Sequence, residues 1–495
     1  MKKVIIIGAG VAGLSTAIRL QSQGYHVEII EKENNVGGKM NQIKGGGFTF
    51  DLGPTIVMMP DVYREVFKVA GKNPDDYLEM TKVDPMYSLA YSEDEIIRIN
   101  NDLVDLTKYL EDISEDDAAG FLAYLADIYK RYLIAKNNFI ERPFRGPRDF
   151  FTPAMLYKAL QLKTFNSAHA SIAKFVKDER IQKMLAFQTL YIGISPYNGP
   201  SIYTIIPMIE MLYGIWFIKG GMYGMATAME RLFLELGGKI TLNTAVDHIL
   251  ITNKKAHGVM VNGQQQLADY VVCNADFPYA MKNLVTDIPS KGKYTDAKIE
   301  KMQYSCSCFM MYLGIDRKLD MLDLHNIVFA KDFDGNIADI FEGNLPEDPS
   351  LYLYTPAKMD SSLAPAGQEA LYVLVPVPEL KTGKFEWTEE LISQYRDQIL
   401  KIVSQRTGVL DIADHIIFEK IMTPEDFKTR FNAHHGATFG LAPTLAQSNY
   451  FRPHNKSNSC ENLYFTGSSV HPGAGVPIVL TSAKLTAFEL MKDDK

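Results

Sequence analysis

The chain has 495 residues, 46% hydrophobic and 22% charged, which is enough apolar material for a large core and enough length for more than one lobe. A formal net charge of −8 excludes a general nucleic-acid binder, because neutralising phosphates needs a basic surface. Four cysteines (Cys273, Cys306, Cys308 and Cys460) are too few for a disulfide framework and lack paired metal-ligand spacing, so reduced thiols and no metal are expected.

The chain opens on Lys3-Val-Ile-Ile-Ile7, a β-branched run expected of a strand buried on both faces. It breaks into Gly8-Ala9-Gly10-Val11-Ala12-Gly13, followed by a helical pattern from Ala12 to Gln23, a stop at Gly24 and a second strand, His26 to Glu31. This is a complete strand, glycine turn, helix, strand unit. Gly8 permits the tight turn, Gly10 lets backbone approach a pyrophosphate, and Gly13 lets helix pack on strand. Glu31, with Lys32 beside it, stands 18 residues past Gly13, where an acid accepts hydrogen bonds from ribose hydroxyls.

Asn35-Val-Gly-Gly38-Lys39 and Phe50-Asp-Leu-Gly53-Pro54-Thr55 follow, with glycines that let a loop lie flat on a cofactor and a lysine to balance pyrophosphate charge. A glycine pair and basic residue after the ribose-binding acid resemble flavoproteins of the glutathione-reductase and amine-oxidase type, and the resemblance implies FAD. Ile202 to Ile218 is the longest apolar run, but Pro207, Glu210 and Gly214 suit a buried or interfacial helix better than a membrane span. Gly220-Gly221-Met222 precedes a helix from Tyr223 to Leu236. Lys239 to Asn243, His248 to Thr252 and Ala256 to Val261 then read as an antiparallel sheet, with Val246 offering backbone bonds to adenine. Val271 to Asp276 returns a strand to the nucleotide fold. Near the far end come a strand Glu461 to Phe465, a turn through Gly467 and a helix Ile478 to Met491. Gly475 and Val476 lie at a second glycine-bearing junction, able to offer N–H groups to the ribityl chain and flavin edge.

Six further motifs carry a closer resemblance: Asp51 to Pro60, Leu185 to Gly193, Phe217 to Met222, Thr423 to Phe427, Gln447 to Asn455 and His471 to Gly475. Through them the whole chain resembles the bacterial carotenoid desaturases of the phytoene-desaturase type, closest to the dehydrosqualene (4,4'-diapophytoene) desaturases. One departure is Thr466-Gly467-Ser468-Ser469, where many relatives carry Gly-Ala-Gly-Thr.

The expected fold class is α/β: a Rossmann-like FAD-binding domain of the glutathione-reductase/amine-oxidase type, a mixed α+β substrate domain and a helical membrane-facing region. Residues 1–79, 220–289 and 456–495 would form the discontinuous cofactor domain, and 80–219 and 290–455 the substrate domain. From Lys130 to Lys177, ten Lys or Arg stand against Glu141 and Asp149, interleaved with Phe139, Phe144, Phe150, Phe151, Met155, Leu156, Tyr157, Leu160 and Leu162. That mixture suits an interfacial helix on anionic lipid, hence a peripheral location on the cytoplasmic face of the cell membrane, without signal peptide or spanning helix.

The resemblance implies conversion of thirty-carbon 4,4'-diapophytoene to 4,4'-diaponeurosporene, with reduced FAD reoxidised by oxygen or a membrane quinone. A forty-carbon phytoene desaturase, a terminal oxidase, an isomerase and a non-catalytic prenyl-lipid escort share this fold. Arg148, Asp149, Asp426 and His471 are the candidate acid–base groups, and His471, next to Pro472, is at least as well suited to a structural role in its turn.

Overall fold

In the computed structural model, which describes residues 1–92 and 94–495, the opening β-branched run becomes the middle of a five-stranded parallel sheet. Its strands, in spatial order, are Leu463–Phe465, Tyr270–Cys273, Lys3–Ile7, His26–Ile30 and Lys239–Thr241. The alternation of side chains across a strand explains why the run is apolar throughout. Val4 and Ile6 face the helices Val11–Gln21, Tyr223–Glu235 and Val476–Asp493, while Ile5 and Ile7 face an antiparallel three-stranded sheet.

Two sequence expectations are corrected here. The Lys239–Thr241 strand pairs in parallel with His26–Ile30, and the third antiparallel strand is Gln264–Leu267, whose glutamines hid it. The apolar run from Ile202 is not one helix: a helix Ile205–Tyr213 ends at Gly214, with φ +74°, and Trp216–Ile218 is a strand paired with Met80–Lys82. A Cβ at Gly214 would stand 2.5 Å from the Asn101 Oδ1, so the break depends on glycine.

The second lobe is built on a seven-stranded sheet, in the order Ile416–Met422, Ser307–Ile315, Glu369–Val377, Leu351–Tyr354, His325–Val328, Tyr87–Ser92 and Glu95–Ile99. One face, with Phe309, Met311, Val373 and Val375, packs on the helix Glu389–Thr407. The other, with Cys308, Met310 and Tyr372, turns toward the helical region between residues 103 and 213.

The basic stretch is likewise not one interfacial helix. The helix Glu115–Ala135 runs into a wider turn at Lys136–Ile140, and short helices follow at Pro147–Phe150, Pro153–Gln161 and Ala168–Ile172. Phe139, Phe144, Met155 and Leu162 are buried, whereas Phe151, Leu156, Tyr157 and Leu160 are exposed. Prolines and glycine at 143, 146, 147 and 153 break the helical period, so the segment folds back and divides its apolar residues between core and surface.

Ile399 is fully buried where the long helix meets the seven-stranded sheet. Ile399→Ala is expected to lower stability by about 2–5 kcal/mol, measured by denaturant unfolding, without changing the native far-ultraviolet circular dichroism.

Candidate active site

A continuous cavity of about 640 Å³ joins the two lobes, lined at one end by Gly8, Gly10, Val11, Glu31 and Val246 and at the other by Tyr132, Phe139, Leu162 and Ile205. At the nucleotide end, the first helix begins at Val11 behind Gly10, which has no side chain to cap it. Its first N–H groups are therefore left for a ligand, with the positive end of the helix dipole behind them. The helix Val476–Asp493 repeats the arrangement behind Gly475, again without a side-chain cap, and Val476 to Val479 line the same cavity.

Close approach fixes the glycines. A Cβ at Gly13 would lie 2.2 Å from the Gly8 carbonyl, and one at Gly10 2.7 Å from the Asn274 Nδ2. The Gly37 N–H donates to the Ala9 carbonyl at 2.9 Å, locking the second glycine loop against the first. Glu31 accepts from the Ala9 N–H at 2.6 Å and the Glu33 N–H at 2.9 Å. Burial raises its pKa while those two donors oppose the rise.

Of the residues singled out in sequence, Gly8, Gly10, Val11, Ala12, Glu31, Lys32, Gly38, Lys39, Gly53, Pro54, Thr55, Val246, Gly467, Gly475 and Val476 line the cavity. Ala9 and Gly13 stand just behind it, holding Glu31 and the first turn. The Lys39 ammonium donates to the Thr438 carbonyl at 2.7 Å, with Asp276 as its facing carboxylate. Burial lowers the Lys39 pKa and raises that of Asp276, and each one's charge opposes the shift in the other. Among the described residues Ser468 is not one with positive φ, so a serine in place of the relatives' glycine costs the turn no strain, while Gly467, at φ +117°, keeps its glycine.

None of the four acid–base candidates lines the cavity. Asp426 caps a helix by accepting from the Thr423 N–H at 2.7 Å, and Asp149 accepts from the Arg145 and Gly146 N–H groups, with Arg148 beside it in the same turn. The His471 Nε2 lies 2.9 Å from the Arg142 carbonyl, and burial pushes its pKa down to about 3. Its imidazole is thus a neutral donor that pins the turn.

Several wall residues carried no recognisable spacing. Asp276 accepts from the Ser469 hydroxyl and, at 3.3 Å, from the His434 N–H. Arg452 is buried and donates to the carbonyls of Leu441, Gln447, Ser468 and Val470, tying the C-terminal turn to the second lobe. The Tyr352 hydroxyl lies 2.6 Å from the Thr55 Oγ1 and 2.7 Å from the His325 Nδ1. Arg452 stands inside the Gln447 to Asn455 motif, a signal that pointed to the segment but not to the residue.

The cradle fits a flavin dinucleotide: two uncapped helix ends, a buried acid at ribose distance in sequence, and the Thr466 Oγ1, a buried cavity-lining oxygen without a partner. Glu31→Gln keeps the shape but removes the anionic acceptor. It is expected to weaken FAD binding by about 1.5–3 kcal/mol, read by fluorescence of released flavin.

Residues 11–491 match the family model of flavin-containing amine oxidoreductases. The chain is 50% identical, over 99% of its own length and 99% of the relative's, to a Staphylococcus aureus (strain MRSA252) protein named 4,4'-diapophytoene desaturase (4,4'-diaponeurosporene-forming). An oxidoreductase from Methanosarcina mazei shares the fold with a TM-score of 0.66 at 17% identity, over 99% of this chain and 100% of that one. Wild-type putrescine oxidase bound to putrescine gives 0.61 at 14% identity, over 99% of each chain. The chain therefore belongs to the flavin-containing amine oxidoreductases, and FAD is the dinucleotide its glycine cradle holds.

Proposed function

We propose that this enzyme desaturates a linear thirty-carbon polyene precursor, 4,4'-diapophytoene, to 4,4'-diaponeurosporene. The observation that carries the reading is one cavity that leaves the flavin cradle and continues between apolar walls, among them Met310, Ile327 and Leu374 from the sheet, Phe329 just past it, and Ile205, Ile206 and Ile209 from the helix. A hydrocarbon has no polar group to grip, so recognition rests on the shape and dryness of the walls. The name and full-length identity of the Staphylococcus aureus relative support the same substrate.

Each new double bond removes a hydride and a proton from adjacent carbons, and bound FAD supplies the hydride acceptor. The chain's contribution is to hold the polyene at reacting distance and keep water out. The proton leaves a carbon whose cation is spread along the conjugated chain, so a weak acceptor suffices. Asp276 is the carboxyl on the cavity wall held by Ser469 and the His434 N–H, and it offers such an acceptor. Glu210 stays behind the wall: burial pushes its pKa up to about 8, so it is protonated at neutral pH, and its Oε2 accepts from the Gln188 amide at 3.0 Å. Reduced flavin would return its electrons to oxygen or a membrane quinone.

No described helix is long and apolar enough to cross a membrane. An extractable bilayer substrate instead suits a protein that sits on the surface. Phe165, Tyr157 and Leu160 are 80%, 63% and 62% exposed, amid Arg148, Lys158 and Lys163. Leu162 and Thr164, from the same segment, line the cavity, so the greasy basic patch adjoins the end by which a hydrocarbon would enter.

The decisive assay reconstitutes the holoenzyme on liposomes with thirty-carbon diapophytoene and, separately, forty-carbon phytoene. New visible absorption bands are expected with the shorter substrate alone; retention of flavin with no colour from either overturns the reading. Tyr157→Asp with Leu160→Asp is expected to release the enzyme from anionic vesicles in a flotation assay, leaving its flavin spectrum unchanged.

A further inference from the structure

We propose that Glu300, His434 and His435 form a site for a divalent transition ion of the zinc type, on the loop whose continuation walls the cavity. The three residues are far apart in sequence on one side, and adjacent on the other, so no ligand spacing marks them. Adjacent side chains diverge in any regular helix or strand. Here His435 takes φ 54° and ψ 21°, and that left-handed step brings the two imidazoles together with ring centroids 4.1 Å apart. A non-glycine residue in that region is worth a functional explanation.

The two Nε2 atoms are buried, and neither has a hydrogen-bond partner. The His434 Nε2 lies 3.3 Å from the Glu300 Oε1 and the His435 Nε2 3.2 Å from the Oε2. Those contacts lack hydrogen-bond geometry, but their lengths suit shared coordination: ligands about 2.0–2.1 Å from a tetrahedral ion stand roughly 3.3–3.4 Å from one another. All three residues offer ligand atoms within 4.8 Å of each other. Two imidazoles and a carboxylate are a zinc-type donor set, with a fourth position open to water. Lys282 also reaches the Glu300 carboxylate and would compete with the ion.

The site would act as a clamp. Glu300 ends the helix Asp296–Glu300, whereas the histidines lead into Thr438, Phe439 and Leu441 of the cavity wall. An ion joining them would restrain the wall from outside, and the His434 N–H already reaches Asp276. The inference does not depend on which polyene the enzyme takes.

The test is zinc titration of chelator-treated holoenzyme by calorimetry, with thermal unfolding followed in parallel. One ion per chain is expected, with a raised melting temperature. His434→Ala and Glu300→Gln should each weaken binding at least tenfold and abolish the thermal gain, with the flavin spectrum showing that each variant is folded. Lys282→Met should tighten binding, a sign opposite to that for loss of an ordinary ion pair. Absence of binding by the unaltered enzyme, or zinc affinity unchanged in His434→Ala and Glu300→Gln, overturns the proposal.

Discussion

The structure depends on backbone N–H groups left free at two helix ends. The helix at Val11 and the helix at Val476 begin behind glycines that cannot cap them, and both open on the same cavity. An uncapped helix end buried without a partner is costly, so each is in effect half of a binding interaction with an anionic or carbonyl-rich ligand. The parallel sheet serves this arrangement. By ordering strands from the beginning, middle and end of the chain side by side, it brings two helix ends far apart in sequence to one ligand.

The second lobe meets a different constraint. A hydrocarbon gives no hydrogen bonds, so its site must be walled by side chains that would otherwise pack on one another. The seven-stranded sheet does this by alternation: odd and even positions of Ser307–Ile315 go to opposite faces, one packed on a helix and the other open to the cavity. Buried polar groups in and behind the wall are kept neutral or paired. Glu210 is protonated, His325 is held neutral by burial that pushes its pKa down to about 3, and Arg452 spends its donors on four carbonyls. Near the nucleotide end the charges are opposed instead, with Lys39 and Asp276 facing one another.

The sequence by itself determined the local parts of the cofactor site: the first strand, glycine turn and helix, the acid at Glu31, and the strand and helix near the far end, each within a residue or two of its place. Such features are legible because they are set by neighbours in the chain, through steric limits on φ and through apolar periodicity. Tertiary structure alone decided which sheet Lys239–Thr241 joins, that Gly214 breaks the longest apolar run, and that the basic segment divides its aromatic residues between core and surface. It alone showed that Asp426, Asp149 and His471 hold turns, and that Asp276, Arg452 and the His434–His435 pair stand at or beside the cavity. Those outcomes turn on burial and mutual geometry, set in part by residues hundreds of positions apart, and neither quantity is written in local spacing.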